Sequence, residues 1–455
     1  LNEFIHSVTL DKSLCTGCTN CIKRCPTQAI RVHDGVAHIL KERCIDCGEC
    51  IRVCPHHAKK PIYDSIDRLS EFAYNIALPA PTLYAQFNLL EDADPVLSAL
   101  HGLGFDDIFE VAAAAELVSD ATRRVLAGSS PRDLPLISSA CPAVVRLIRV
   151  RFPNLIDHVL PVLAPMEQAA RLARERAVER TGLSPDQIGV FFLSPCPAKV
   201  TAVRDPIGSD RSEVNGVLAI KDIYPALCNL LKNAPEEALS HSGRIGMSWA
   251  SSGGECSGLI SVDNYLAADG IENVIRVLED LEDEKLHDLA FVELNACAGG
   301  CVGGVLTVEN PYIARAKLKK LRRYLPVSEN RLESSIPPQM LWSTDLEYAP
   351  VMELGATRAE RFERYARLEE IRAQLPDLDC GACGAPTCDA LAEDIVRGYN
   401  SLDSCAVLLR RRLQNMVEQL QHQASAKKQC ECPSGKSAAD CATCPANSEK
   451  RDQKE

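Results

Sequence analysis

Residues 292–304 read "VELNACAGGCVGG", a strand-like run that delivers two cysteines, Cys297 and Cys301, into a glycine-rich turn. Two other apolar runs end the same way: "LISSAC" reaches Cys141 and "FFLSPC" reaches Cys196. Open α/β sheets place their sites at the carboxyl ends of strands, so the cysteines on these three strand ends can converge on one point. Four thiolates suit one 4Fe-4S cube.

Working outward, the runs "TLYAQF" (82–87), "LPLISS" (134–139), "GVFFLS" (189–194) and "LAFVEL" (289–294) alternate with helical stretches. Such alternation predicts an α/β core with largely parallel sheets. At 455 residues the chain is too long for one ordinary core, and roughly two to four domains are expected. Its 46% hydrophobic share supports a folded protein.

A net charge of -12 and a pI near 5.4 repel phosphate backbones, and the basic residues are scattered apart from "ARAKLKKLRRY" (314–324), so nucleic acid is excluded as the expected partner. No apolar run reaches the length of a bilayer span, and the first residues lack the charged-then-apolar pattern of a secretory signal. The expectation is a cytoplasmic protein without a membrane span. The 22 cysteines, gathered in tight groups rather than dispersed pairs, point to metal ligation in a reducing compartment, with a disulfide framework the minor alternative.

The front block carries "CTGCTNCIKRCP" and "CIDCGECIRVCP", each a C-x2-C-x2-C-x3-C-P run of the bacterial two-cluster ferredoxin type. In that pattern three cysteines hold one cube and the fourth crosses to the other. Cys15, Cys18, Cys21 and Cys54 are therefore expected to hold one 4Fe-4S cluster, and Cys44, Cys47, Cys50 and Cys25 the second. Zinc also takes four thiolates, but the duplicated C-P ending favours iron-sulfur.

A later block, "LDCGACGAPTCDALAEDIVRGYNSLDSC", supplies Cys380, Cys383, Cys388 and Cys405. It resembles the small C-x2-C-x4-C plus distal Cys module of electron-transfer complexes and corrinoid proteins, which implies another 4Fe-4S cluster; zinc would satisfy the same thiolates. Beyond it Leu402, Ala406, Leu409, Leu413, Met416 and Leu420 repeat at alternating steps of four and three. That is the seam of a coiled coil or of a helix lying on a partner, with a plain packed helix as the alternative. From Ser425 the composition turns polar and aperiodic, which suggests disorder. Cys430, Cys432, Cys441 and Cys444 in that tail could hold zinc or remain unmetallated.

Taken together, "SSACPAVV", "SPCPAKV" and "ELNACAGGCVGG" resemble the three loops of the FeFe-hydrogenase catalytic domain, which read roughly TSCCP, MPCxxK and ExMACxxGCxxGG. The resemblance runs from about residue 76 to 310. It implies that Cys141, Cys196, Cys297 and Cys301 hold the cube of an H-cluster and that Cys301 also bridges to a diiron subsite carrying CO, cyanide and a dithiolate amine. One thiolate then serves two metals, while Gly299, Gly300, Gly303 and Gly304 let the backbone approach. Lys199 matches the family lysine that donates to a cyanide, an ammonium beside an anionic ligand. "LPAPTLYAQF" resembles the APAxR stretch and places Pro79 and Ala80 near the other cyanide; "WASSGGECSG" resembles the TGG segment and places Gly253 and Gly254 beside the site. Cys228 and Cys256 have no assigned role and read as small buried hydrophobes.

The chain departs from the family at the cysteine that passes protons to the bridging amine, where it has Ala140, which cannot relay a proton. The relay carboxylates are also missing: "ATRRV" (121–125) has none, and Ala202 stands where the family has an acid. Ser194 and Asn295 replace two methionines beside the diiron subsite, which should shift its redox poise.

The resemblance therefore implies a low-turnover or dihydrogen-sensing hydrogenase, similar to the subgroup thought to sense dihydrogen that lacks a PAS domain. Electrons would pass between the H-cluster and the flanking cubes, then to a ferredoxin or another redox subunit. The terminal helix would meet a second copy or a signalling partner. An ordinary hydrogenase with another proton route, or an electron-transfer or scaffold protein with no diiron centre, stays open.

The expected architecture has five parts: a ferredoxin-like α+β domain at 1–63, the α/β H-cluster domain with parallel sheets in two lobes at 64–355, a mostly helical 4Fe-4S module at 356–401, a heptad helix at 402–427 that starts inside the module and includes its ligand Cys405, and a Cys-containing polar tail at 428–455.

Overall fold

The computed structural model describes residues 6–233, 235, 237–260 and 262–429. In it the alternation of apolar runs and helices becomes two parallel sheets. The strands, in chain order, are β1 (Val8–Leu10), β2 (Ile30–His33), β3 (Val36–Ile39), β4 (Lys59–Pro61), β5 (Tyr74–Pro79), β6 (Asp107–Ile108), β7 (Leu136–Ile137), β8 (Ile188–Ser194), β9 (Gly216–Ala219), β10 (Tyr265–Asp269) and β11 (Phe291–Asn295).

One sheet has the order β6-β5-β8-β9 and the other β10-β11-β7, with every pairing parallel. All residues of β8, "IGVFFLS", are buried, as expected of a central parallel strand covered on both faces. Its side chains serve two separate cores: Phe191 and Leu193 pack with Leu83, Leu97 and Leu100, while Val190 and Phe192 pack with Met166, Ala169 and Ala173. This is the period-two alternation of a strand with an apolar layer on each side.

Two expected strands are corrected. "TLYAQF" is a buried 3-10 turn spanning Pro81–Gln86, and the strand is the preceding "YNIALP" of β5. Pro81 has no N–H to give a ladder and its fixed φ suits the first position of a turn. The β-prone composition of 82–87 instead reflects burial. In "LPLISS" only Leu136 and Ile137 are strand, pairing with Phe291 and Val292.

The front segment folds as two antiparallel pairs, β1 with β4 and β2 with β3, carrying short helices Asn20–Lys23 and Glu49–Arg52. Its buried Asp46 accepts hydrogen bonds from Ser7 N (2.9 Å) and from Thr201 Oγ1 (2.7 Å) on the core helix Pro197–Arg204. Arg52 donates to Gly303 O at 2.7 Å, and Arg151 donates to Pro26 O at 2.9 Å. These bonds tie the front cysteine loops to the loops that carry the core cysteines, within one compact unit that ends at Glu353.

The second unit begins at Leu354. A Thr357/Glu360 capping box starts the helix Arg358–Arg372, followed by the helices Cys388–Val396 and Ala406–Gln429. Ile371, Leu375, Leu391, Cys388 and Cys405 form its core, and Leu402, Val407 and Leu408 pack against it. The seam residues Leu409, Leu413, Met416 and Leu420 are 44%, 54%, 57% and 62% exposed, so that stripe is left to solvent.

Candidate metal centre

Cys141 and Cys196 each occupy the N-cap of a helix whose first residue is proline, Pro142–Arg151 and Pro197–Arg204. The C-P-A sequence does this: β8 ends two residues before Cys196 and β7 four before Cys141, and proline is tolerated where no N–H is needed. Both thiols thus sit at the positive end of a helix dipole, which favours the thiolate. Cys297 and Cys301 follow β11 in a turn where Gly300 has φ +90°, and a Cβ there would lie 2.5 Å from Ser252 N. A Cβ on Gly304 would meet Pro195 O at 2.1 Å, so only glycine lets this turn close against the loop of Cys196.

The structure brings Cys141, Cys196, Cys297 and Cys301 together as lining of one cavity. Burial pushes the Cys196 thiol up to about 12, and the thiols of Cys141 and Cys301 add to it. Burial likewise pushes Cys301 up to about 11, with Lys199 opposing, and it raises Cys297 strongly. Thiols that are buried and mutually repelling ionise together only around cationic metal, so this donor set fits an iron-sulfur group.

The front cysteines fall into two groups. One small cavity is lined by Cys15, Cys18, Cys21 and Cys54, and another by Cys25, Cys44, Cys47 and Cys50. These are the crossed sets expected from the spacing. Backbone N–H groups of Ala37, Ala29 and Ala58 donate to the sulfurs of Cys15 (3.4 Å), Cys25 (3.2 Å) and Cys54 (3.3 Å), as suits anionic thiolates. Cys47 also lines the core cavity and feels Cys297 electrostatically, which sets the second front group against the core one.

Lys199 lines the cavity, and its Nζ donates to Ala140 O at 2.8 Å. Ala140 and Ala80 line it too, but Pro79 does not: it ends β5, and the chain turns inward only at Pro81, so Pro81 and Thr82 take that wall. Thr82 is fully buried and its Oγ1 has no hydrogen-bond partner among the described residues. Asn295 lines the cavity with its Nδ2 donating to Glu293 (2.8 Å), whereas Ser194 is turned to the backbone of Cys196, accepting from its N (3.1 Å) and donating to its O (3.0 Å). Gly253 N donates to Glu293 at 2.9 Å. Cys256 is buried, and Cys228 is half-buried beside Tyr224.

Sequence reasoning missed two carboxylates in the cavity, Glu255 and Glu293, which are 4% and 3% exposed. Glu255 accepts a 2.5 Å hydrogen bond from Ser138 Oγ, which in turn accepts from Ala140 N at 3.2 Å. Burial, and then the neighbouring Glu293 carboxyl, push Glu255 up to about 8. Burial also raises Glu293, against hydrogen bonds from Cys256 N and Gly253 N. The available signal was an acid inside an otherwise apolar strand, "FVELN".

In the second unit Cys388 and Cys405 are buried, Cys383 is half-buried and Cys380 is exposed. Burial raises Cys383, and Cys380 and Cys405 add to it, so those three thiols are electrostatic neighbours. Cys383, Cys388 and Cys405 share one packed cluster. The tail cysteines Cys430, Cys432, Cys441 and Cys444, and the zinc expected of them, lie outside the described residues.

Two parallel sheets joined at a cysteine-lined cavity, with a two-cluster front segment, define an iron-sulfur redox protein. The family model of the iron-only hydrogenase large subunit, C-terminal domain, matches residues 74–255 and 250–305, over half of the chain. The chain belongs to that family, the FeFe-hydrogenase superfamily. A 4Fe-4S dicluster domain matches 7–55, and an Fe-S cluster domain matches 375–407.

An NADP-reducing hydrogenase subunit of Solidesulfovibrio fructosivorans is 25% identical over 200 residues, 42% of this chain and 31% of that one. A periplasmic iron hydrogenase large subunit of Nitratidesulfovibrio vulgaris is 31% identical over 218 residues, 43% and 51% of the two chains. This chain thus spans about half or less of the length of either relative. The nuclear prelamin A recognition factor of Mus musculus is 25% identical over 327 residues, 59% and 70%. Among solved structures, a variant FeFe-hydrogenase of Chlamydomonas reinhardtii superposes with a TM-score of 0.50 at 16% identity, covering 63% of this chain and 99% of that one, a likeness of fold.

Proposed function

We propose that this protein is a dihydrogen-sensing or low-turnover hydrogenase that passes electrons between an H-cluster in the core cavity and 4Fe-4S clusters in the front segment and the second unit. The observation that carries it is a single cavity that joins the four core cysteines and Lys199 to a wall where Ala140 offers no transferable proton.

In this proposal Cys141, Cys196, Cys297 and Cys301 would hold the core cube, with Cys301 also the thiolate offered to a diiron subsite, and Lys199 and Thr82 would present donors to that group. Such a subsite, when bound, would supply the heterolytic splitting of dihydrogen. The chain's own residues set how fast that chemistry runs. Lys199 is oriented by Ala140 O, Glu255 and Glu293 hold a proton inside the cavity, and the apolar remainder of the lining, including Val111, Ala115, Met166 and Phe192, keeps bulk water out.

Cys47 lines the core cavity and feels Cys297, which supports an electron path from the core through the second front group. A ferredoxin or another redox subunit in the cytoplasm would complete the circuit. The exposed stripe of Leu409, Leu413, Met416 and Leu420 suits a second copy or a signalling partner. No helix among the described residues is long and apolar enough to cross a membrane.

The test is an anaerobic infrared spectrum after incubation with the synthetic diiron cofactor, under argon and then under dihydrogen. Sharp CO and cyanide bands that move with the gas are expected. A featureless spectrum would refute both hydrogenase roles and leave an electron carrier or scaffold that keeps its cubes.

A further inference from the structure

A second cavity, with about 40 Å³ of space that water can occupy, backs onto the first, and the two share Ala140, Pro142, Met166 and Lys199 in their walls. Its other walls include Ser139, Glu167, Ala202, Ser209 and Trp342. Glu167, Ala202, Ser209 and Trp342 are all partly exposed, so the second cavity borders solvent on the side away from the shared wall. Ala140 in the shared wall and Ala202 in the second cavity's lining carry only methyl side chains, so a larger side chain at either place would narrow this passage.

One carboxylate stands in this passage. Glu167, on the helix Pro165–Thr181, accepts from Ser212 Oγ at 2.7 Å and from Glu213 N at 3.0 Å, which fixes its position. The charged groups around it are Lys199 across the passage and Glu213, itself paired with Arg174 at 3.2 Å and Arg211 at 3.7 Å. Burial raises Glu167 above an ordinary carboxyl, Lys199 pulls the other way and Glu213 adds to the rise. Ser139 Oγ donates to Val162 O at 2.7 Å and keeps lone pairs for a further partner. A passage with a hydroxyl, a carboxylate and an ammonium in its walls, and this much room, is one that ordered water can bridge.

We propose that this second cavity is the solvent-side leg of the proton route, and that Glu167 is the carboxylate that loads it. The inference rests on the hydrogenase reading above. A proton leaves water at the Ser209 side and binds the Glu167 carboxylate. It then moves through water past Ala140 into the core cavity. Each hop breaks one O–H bond and forms another, and no electrons change hands. Dihydrogen oxidation runs the same path outward.

Two variants test it in the full chain loaded with the synthetic diiron cofactor: Glu167→Gln, which keeps the acceptor for Ser212, and Ala202→Leu, which narrows the passage without removing a polar group. Under D2 in ordinary water, the ratio of H2 to HD released reports how fast hydrons exchange with solvent relative to gas escape, independently of total rate. Both variants should lower that ratio by about tenfold, the scale of losing a positioned acid-base group. An unchanged ratio would place the proton route elsewhere, and a raised ratio would make the cavity a gas passage; either overturns the proposal.

A second readout needs no diiron centre. In protein carrying only its 4Fe-4S clusters, an infrared carboxyl band that titrates in the wild type should vanish in Glu167→Gln, and its persistence would overturn the assignment of Glu167. Absence of CO and cyanide bands would instead count against the hydrogenase reading.

Discussion

Glu255→Gln removes an ionisable group while keeping the carbonyl oxygen that accepts the 2.5 Å hydrogen bond from Ser138. In the wild type, burial and the Glu293 carboxyl push Glu255 up to about 8 from its ordinary 4.5. The displacement corresponds, at about 1.36 kcal/mol per pH unit, to about 5 kcal/mol of preference for the protonated form. At neutral pH about nine molecules in ten therefore carry a proton on the Glu255–Glu293 pair, which titrates as a unit.

The pH dependence of stability follows from that preference. Below the ordinary carboxyl range both the folded and the unfolded chain hold the proton, and the group has no effect. Between 4.5 and about 8 the unfolded chain releases it while the folded chain keeps it, so stability falls as pH rises, by up to about 1.4 kcal/mol per pH unit. Above about 8 the full cost persists. The Gln variant lacks this slope, so relative to the wild type it gains up to about 5 kcal/mol between mildly acidic and alkaline pH. Anaerobic denaturant unfolding across that range measures the difference. An infrared pH titration of the carboxyl band missing from the variant locates the midpoint. A midpoint in the ordinary carboxyl range, or equal stability slopes for the two proteins, would refute the buried acid pair.

Ala140→Cys restores a transferable proton at the shared wall and should raise dihydrogen turnover by about tenfold to a hundredfold, measured by gas chromatography; no gain would mean that Ala140 does not limit the rate. Thr82→Val removes a buried hydroxyl without a partner among the described residues, so the cofactor-free fold should be unchanged or up to about 2 kcal/mol more stable, while the CO and cyanide bands of the loaded protein should shift. Loss of stability with unmoved bands would show the hydroxyl to be structural. Asp46→Ala deprives Ser7 and Thr201 of their acceptor and should cost about 2–4 kcal/mol, seen as faster anaerobic proteolysis between the front segment and the core. Leu413→Asp with Leu420→Asp should lower the sedimentation mass if the exposed stripe pairs two copies, and an unchanged mass would exclude that occupant.

Most of the metal chemistry was legible along the chain, because it is local. The C-x2-C-x2-C-x3-C-P runs carry their crossed pairing in their spacing, and the structure groups Cys15, Cys18 and Cys21 with Cys54, and Cys44, Cys47 and Cys50 with Cys25. The strand-to-cysteine runs likewise announce α/β sheets with thiols at the strand ends, since a parallel strand must be apolar throughout and its carboxyl end is where the backbone opens.

Composition misled where burial and pairing part company. "TLYAQF" is β-prone, yet Pro81 turns it into a buried 3-10 segment, and that shift puts Thr82 rather than Pro79 at the cavity. Apart from the acid inside the apolar strand "FVELN", the carboxylates and the second cavity had no local signature. Glu167, Glu255 and Glu293 come from three distant segments, and only the packing of those segments against the cysteine loops brings each to a cavity wall. A thiolate set at short spacing is specified by its own loop; a proton path is made of groups that never neighbour one another in sequence, and of the space that Ala140 and Ala202 leave between them.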